Sequence, residues 1–300
     1  MKTAMSCNEL KQRMDSGSAV VIDVLTPEDH AACHITGAHN ACVYEIVFLD
    51  RVAEYVSDRE TPIVVYDYSG TTRTAENARE KLIQAGYQRI SVLSGGLSAW
   101  RSAAYPIEGR NPAGFEEISL HDGTYTVDLE KSRLEWIGRN LNYRHYGRIA
   151  IADGELIVLN GVPTNGRIVL NMSSITDLDL QDDSLRELLN RHLKSEDFFA
   201  VDRFPTAEFE LAGSKPLTEA TPGTPNCMVT GSLTIKDIRR PVSFPAFIGP
   251  QEDGSIRAHA SFDIDRTLWN VLYGSGRLFE RLGMHLVHDL ISLELFIASK

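Results

Sequence analysis

Residues 63–74 read Ile-Val-Val-Tyr-Asp-Tyr-Ser-Gly-Thr-Thr-Arg-Thr and indicate a buried strand, a loop of small residues and the start of a helix. The four residues before Asp67 are all β-branched or aromatic, which is typical of a strand buried on both faces of a parallel sheet. A helix is predicted from residue 74 to residue 85, with Gly86 ending it. Its buried face is predicted to carry Ala75, Ala78, Leu82 and Ile83.

The sequence around this unit repeats the alternation of strands and helices. Residues 19–24 and 90–93 are further strand candidates, and Thr26 before Pro27 is a typical helix start. Such alternation predicts an α/β domain with a parallel sheet over residues 1–112.

Several motifs in this half resemble the rhodanese-like family. They are Asp23 in the first strand, the run from His34 to Ala38, the strand-loop-helix unit, and Gly95-Gly96 followed by Trp100. In that family the residue after the strand is the cysteine that carries sulfur, and here it is Asp67. Leu25 and Cys33 also depart from the family pattern, and the loop is one residue longer, as in phosphatases of this fold.

The resemblance implies that this loop is catalytically degenerate. A strand-to-helix turn points backbone N–H groups into one cup, which stabilises a thiolate or another anion. A carboxylate there fills the cup with its own charge and forms no persulfide, and we expect Arg73 to pair with it. The predicted degenerate loop comprises Asp67, Tyr68, Ser69, Gly70, Thr71, Thr72 and Arg73. The alternative is a sulfurtransferase or redox enzyme that uses Cys33 or Cys42, which flank His34 and His39.

The second half has a different pattern. After a turn-rich linker, predicted at residues 113–123, most of residues 124–300 form short runs with period-two alternation. The predicted strands are 124–128, 134–139, 154–159, 166–175, 206–211, 228–235, 242–248, 256–265 and 290–298. An all-β antiparallel barrel is therefore expected. One helix interrupts it, with Asp183 or Ser184 as N-cap. Its stripe is predicted to cover an open barrel end and comprises Leu185, Leu188, Leu189, His192 and Leu193.

This half resembles the YceI-like family of lipocalin-like barrels. The match rests on the segments 125–128, 173–175, 192–209, 230–235 and 265–267. The resemblance implies a tunnel that binds a polyisoprenoid, quinone or fatty-chain ligand. From the alternation, the residues predicted to lie near the cavity are Trp136, Phe209, Phe244 and Phe262; a core filled by side chains is the alternative. The cationic residues Arg139, Arg144, His145 and Arg148 are expected to face water.

Composition limits the remaining function classes. The formal net charge is −11 and no Lys/Arg cluster is present, so binding to nucleic acid is not expected. No apolar run reaches the roughly 20 residues that span a membrane, and no signal peptide is apparent. The four cysteines lack CxxC spacing, which favours reduced thiols, a cytoplasmic location and no metal site. We therefore predict a binding or carrier protein rather than an enzyme, with the first domain available to dock a protein partner.

Overall fold

The computed structural model describes residues 4–111, 119–218, 220–251 and 253–300. The chain divides into two compact units, Met1–Glu117 and Ile118–Lys300. This division falls inside the predicted linker, of which residues 113–118 lie outside the described residues.

The first unit is an α/β domain built on a five-stranded sheet in which all neighbouring strands are parallel, in the order β1-β6-β5-β2-β4. The short strands β3 and β7 form a separate antiparallel pair. The strands are β1 (Ala4–Met5), β2 (Val20–Asp23), β3 (His34–Ile35), β4 (His39–Asn40), β5 (Ile63–Tyr66), β6 (Ile90–Leu93) and β7 (Ile107–Glu108). The helices are α1 (Cys7–Asp15), α2 (Pro27–Ala32), α3 (Phe48–Tyr55), α4 (Thr74–Gln84) and α5 (Gly96–Ser102).

Local sequence explains these elements well. All four residues of β5 are buried, as the apolar run predicts. Thr26 caps α2, because its side chain accepts a hydrogen bond from the Asp29 N–H at 3.2 Å. One detail was wrong: Ile83, which was expected on the buried face of α4, is 46% exposed, whereas the other three residues of that face are buried.

The second unit is a closed barrel of eight antiparallel strands, β9 to β16, and the pairing of β10 with β11 completes the ring. The preceding strand β8 pairs with the far end of β10. The strands are β8 (Gly123–Thr126), β9 (Arg133–Arg139), β10 (Arg144–Leu159), β11 (Val162–Asp177), β12 (Thr206–Pro216), β13 (Cys227–Ile235), β14 (Ile238–Pro250), β15 (Ile256–Asp265) and β16 (Leu290–Ala298). Every predicted run lies in one of these strands or overlaps it, but β10 begins ten residues earlier than predicted.

The helix between β11 and β12 is α6 (Asp183–Lys194). Its N-cap is Asp182 rather than Asp183 or Ser184, because the Asp182 carboxylate accepts from two N–H groups of the first turn. Leu193 is buried, but Leu185 and Leu188 are about half exposed, so only part of the predicted stripe packs on the barrel. Within the described part of the chain, no helix has both the length and the apolar character needed to cross a membrane.

Candidate functional site

The loop after β5 is held by its own carboxylate. Asp67 is buried, and its Oδ1 accepts from the Gly70 N–H at 2.6 Å. Its Oδ2 accepts from the Thr72 hydroxyl at 3.1 Å and from the Ala75 N–H, in the first turn of α4, at 3.3 Å. The inward N–H groups of this strand-to-helix turn are therefore already occupied by a negative charge.

The expected ion pair between Arg73 and Asp67 is not formed. The Arg73 guanidinium lies 3.3 Å from Glu80 Oε1, about two turns further along α4, and its side chain is 85% exposed. The pairing fails because α4 begins directly after Arg73 and turns this side chain outward. Asp67 is instead satisfied by neutral donors.

The two thiols considered as substitutes are buried. Cys33 and Cys42 both lie in the interior of the first unit. Burial raises the pKa of the Cys33 thiol, and nearby Arg101 only partly offsets this. A buried thiol with a raised pKa supplies little thiolate at neutral pH, so the geometry does not favour Cys33 as the nucleophile of the enzymatic alternative.

The barrel contains an apolar cavity of about 260 Å³. Its walls come from the inward faces of the strands, and α6 contributes to one end. The apolar lining comprises Leu134, Trp136, Ile149, Leu170, Met172, Ile175, Leu189, Leu193, Phe198, Phe199, Ala207, Leu233, Ile235, Ile264, Val271, Met284, Val287, Ile291 and Leu293. The alternation predicted from sequence thus places residues of every barrel strand except β14 around a ligand-sized space.

The polar lining is concentrated where β9 and β10 meet the segment 283–288. A bridge joins Asn140 to Val287, and the His288 N–H donates to the Arg139 carbonyl oxygen at 2.8 Å. The polar lining residues are Arg139, Asn140, His145, His192, Arg266, Tyr273, His285 and His288. The expectation that His145 faces water was wrong, because β10 extends to Arg144 and its alternation turns His145 inward; Arg144 and Arg148 are exposed, as expected. Arg139 is half-buried, and its guanidinium donates to the Ser292 hydroxyl at 2.9 Å.

Arg266 is a buried cation in this wall. It is 1% exposed, and its guanidinium donates to three backbone carbonyl oxygens, those of Val271, Val287 and His288, at 2.6–3.0 Å. Burial lowers its pKa, while Asp289 and Asp265 act in the opposite direction. Because its donors are used by the backbone, we interpret Arg266 as a structural residue that fixes the segment at the polar end.

Trp136 carries an unused donor inside the cavity wall. The residue is buried, and its indole Nε1 has no hydrogen-bond acceptor within the described ranges. Gly147 lies directly across on β10, where a Cβ would collide with the indole ring, so the glycine makes room for this side chain. A buried donor without a partner is costly, and a bound molecule with an acceptor would satisfy it.

The three predicted phenylalanines form an aromatic layer deeper in the barrel. The ring of Phe244 stacks on Phe262 at 3.9 Å and lies 5.6 Å from Phe209. Phe209 and Phe262 pack against two groups of buried apolar side chains. One group surrounds the large cavity, and the other contains Phe244. Phe209 and Phe244 line a second, smaller cavity of about 70 Å³, whereas Trp136 lines the larger one. Phe262 contributes to neither lining.

Comparison with known proteins agrees with both halves of this architecture. A family model for the YceI-like domain matches residues 125–298, and one for the Rhodanese-like domain matches residues 6–103. The thiosulfate sulfurtransferase GlpE of Pseudomonas fluorescens is 32% identical over 100 residues, which are 33% of this chain and 85% of that protein. The HTH-type transcriptional regulator Rv0324 of Mycobacterium tuberculosis is 32% identical over 111 residues, 37% of this chain and 47% of the regulator. The chain therefore spans about half the length of that regulator.

Two solved structures resemble the second unit. BcnA of Burkholderia cenocepacia is 20% identical with a TM-score of 0.46, covering 58% of this chain and 99% of that one. A polyisoprenoid binding domain from Saccharophagus degradans is 10% identical with a TM-score of 0.43, covering 59% and 97%. With the family models, the strand order and the closed barrel in agreement, the chain belongs to the YceI-like family and carries a Rhodanese-like domain before its YceI-like domain.

Proposed function

We propose that the barrel binds and carries one apolar chain that bears a hydrogen-bond acceptor. The observation that carries this proposal is the apolar cavity of about 260 Å³, lined by the Trp136 side chain, whose buried Nε1 has no acceptor among the described residues. Removing roughly 300 Å² of chain from water contributes on the order of 7 kcal/mol, from which association costs of about 4 kcal/mol or more are subtracted.

The cavity size limits the ligand. Small-molecule sites usually enclose about 300–1,000 Å³, and this cavity lies just below that range. A fatty chain, a quinone with a short tail, or one segment of a polyisoprenoid matches it best. We place the acceptor-bearing group toward the histidine-lined end and the tail toward the aromatic layer, because unpaired polar atoms are unfavourable against apolar side chains.

For the Rhodanese-like domain we propose a role without sulfur transfer. The support is the position of Asp67, which follows β5 where rhodanese-like proteins carry the cysteine, and the occupation of the cup by its carboxylate. Docking of a protein partner through this domain and a cytoplasmic location stay predictions. The purified protein should give no thiosulfate:cyanide turnover and no persulfide after incubation with thiosulfate. A stable persulfide on Cys33 or Cys42 would instead support the enzymatic alternative.

The binding proposal is tested by extraction. The full chain, purified without detergent, is extracted with organic solvent and the extract is analysed by mass spectrometry. We expect an apolar molecule with an oxygen-containing group, in amounts approaching one per chain. If extraction yields nothing, titration with fatty acids and prenyl alcohols of increasing length decides the question. If the folded barrel binds none of them, the cavity is only a feature of side-chain packing and the binding proposal is wrong.

A further inference from the structure

A second cluster, at the end of the β10–β11 pair, shares only His145 with the lining of the large cavity. His145 lies on β10, Asp177 is the last residue of β11, and Asp179 follows in the turn toward α6. The pairing of Gly147 with Asp177 brings these segments together across the hairpin. One ligand atom from each of the three side chains lies within 4.8 Å of the others.

Backbone groups orient both carboxylates. Asp177 Oδ1 accepts from the N–H groups of Asp179 at 3.2 Å and Leu180 at 2.8 Å. Asp179 Oδ1 accepts from the Tyr146 N–H at 2.7 Å. The two Oδ2 atoms then face the same imidazole nitrogen, His145 Nδ1, at 3.9 Å from Asp177 and 3.1 Å from Asp179.

The second carboxylate oxygen of Asp177, Oδ2, lacks a hydrogen-bond donor among the described residues, and this indicates a ligand. Asp177 is 1% exposed, and its Oδ2 has no hydrogen-bond partner in the part of the chain that the structure describes. It is aimed at His145 Nδ1 beside Asp179 Oδ2. A buried carboxylate oxygen without a donor is unfavourable, and a cation bound between the three ligand atoms would satisfy it.

We propose that His145, Asp177 and Asp179 form a binding site for a divalent transition-metal ion of the zinc class. Ligands at about 2.0–2.2 Å in a tetrahedron lie roughly 3.3–3.6 Å apart, and the measured separations of 3.1 and 3.9 Å bracket that spacing. The imidazole favours zinc over magnesium or calcium, and two carboxylates balance the charge of a divalent ion. Three protein ligands leave a fourth position for water.

The test uses the full chain after treatment with a chelator. Zn²⁺ is titrated calorimetrically, and Co²⁺ is added separately because four-coordinate Co²⁺ absorbs strongly in the visible range. We expect one equivalent of either metal per chain and a higher melting temperature with Zn²⁺. Asp177→Asn, Asp179→Asn and His145→Gln should each weaken binding by at least roughly ten-fold. The two Asn variants retain Oδ1, which accepts the backbone hydrogen bonds, so they should fold.

The matched control is His259→Gln, because His259 is an exposed imidazole of the same barrel that stacks on Phe296. Its metal affinity should equal that of the parent. The proposal is overturned if the folded parent binds no stoichiometric Zn²⁺, or if all three ligand variants bind as the parent does. Preference for Mg²⁺ or Ca²⁺ over Zn²⁺ would overturn the zinc-class assignment. None of these results depends on binding of an apolar chain.

Discussion

The loop after β5 and the cavity wall of the barrel differ in whether their buried polar groups have hydrogen-bond partners. In the loop, the Asp67 carboxylate takes two backbone N–H groups and a hydroxyl, so the donors of the cup are paired within the protein. In the barrel, the Trp136 side chain lines the apolar cavity, and no described residue accepts a hydrogen bond from its buried indole nitrogen. The comparison teaches that a site which satisfies itself is suited to structure, whereas one with an unused donor is suited to a ligand.

The largest effect is expected from a charge placed in the cavity wall. Leu293 on β16 lines the cavity, and Leu293→Asp would bury an unpaired carboxylate there. We expect apolar-chain binding to be abolished and the free energy of unfolding to fall by about 2–5 kcal/mol. Leu290→Asp is the matched control, because Leu290 lies on the same strand but is half exposed. If folded Leu293→Asp and folded Leu290→Asp retain the ligand equally, the cavity wall is not the site that binds it.

The aromatic layer offers the next largest change. Phe262→Ala removes the ring that stacks on Phe244, at a cost of about 3–5 kcal/mol in stability. It should also join the two cavities and shift binding toward longer chains, which a titration with prenyl alcohols of different lengths measures. The control is Phe296→Ala, which removes a ring stacked on the exposed His259. An unchanged length preference in Phe262→Ala would show that the layer does not limit the ligand.

The cup itself is tested by returning a thiol to it. In Asp67→Cys the N–H groups of Gly70 and Ala75 remain, so the thiol pKa should fall below its reference of about 8.5. The midpoint of the alkylation rate against pH reports this pKa, and the parent gives the background of the native cysteines. Arg73 is not expected to help, because it pairs with Glu80. A midpoint at or above 8.5 would mean that the loop stabilises no anion.

The smallest effect concerns the unused donor alone. Trp136→Phe keeps an apolar ring but removes Nε1, so affinity for a chain with an acceptor should fall roughly five- to ten-fold, about 1–1.5 kcal/mol. A chain without an acceptor should bind both proteins equally, and the variant without ligand should be at least as stable as the parent. Competition titrations with a fatty acid and with an alkane of equal length measure the difference. An equal loss for both chains would assign the effect to packing.

The fold could be predicted because each strand carries its own signal. The alternation of Ile291, Leu293, Leu295 and Ile297 sets one face of β16 against the other, and the buried run of β5 needs no distant partner. Whether Arg73 can reach Asp67 depends on the residue at which α4 begins. Sequence locates the ends of a helix only to within a few residues. That is why the expected pair with Asp67 was wrong.

The candidate sites were less accessible to prediction. Trp136 was expected near the cavity from alternation, but its unpaired nitrogen follows from contacts with β10 that no local pattern encodes. The cluster of His145 with Asp177 and Asp179 joins residues more than thirty positions apart through a strand pairing. The one available signal was Asp-Leu-Asp at the end of a predicted strand, after an unusually cationic segment.

The central claim is that the barrel, and not the loop, is the site that receives a ligand. Its most direct test is native mass spectrometry of the full chain, of Leu293→Asp and of Leu290→Asp, each purified without detergent and then supplied with a fatty acid. The account predicts a one-to-one adduct on the parent and on Leu290→Asp, and none on folded Leu293→Asp. Adducts of equal abundance on all three proteins, or none on any of them, would contradict it.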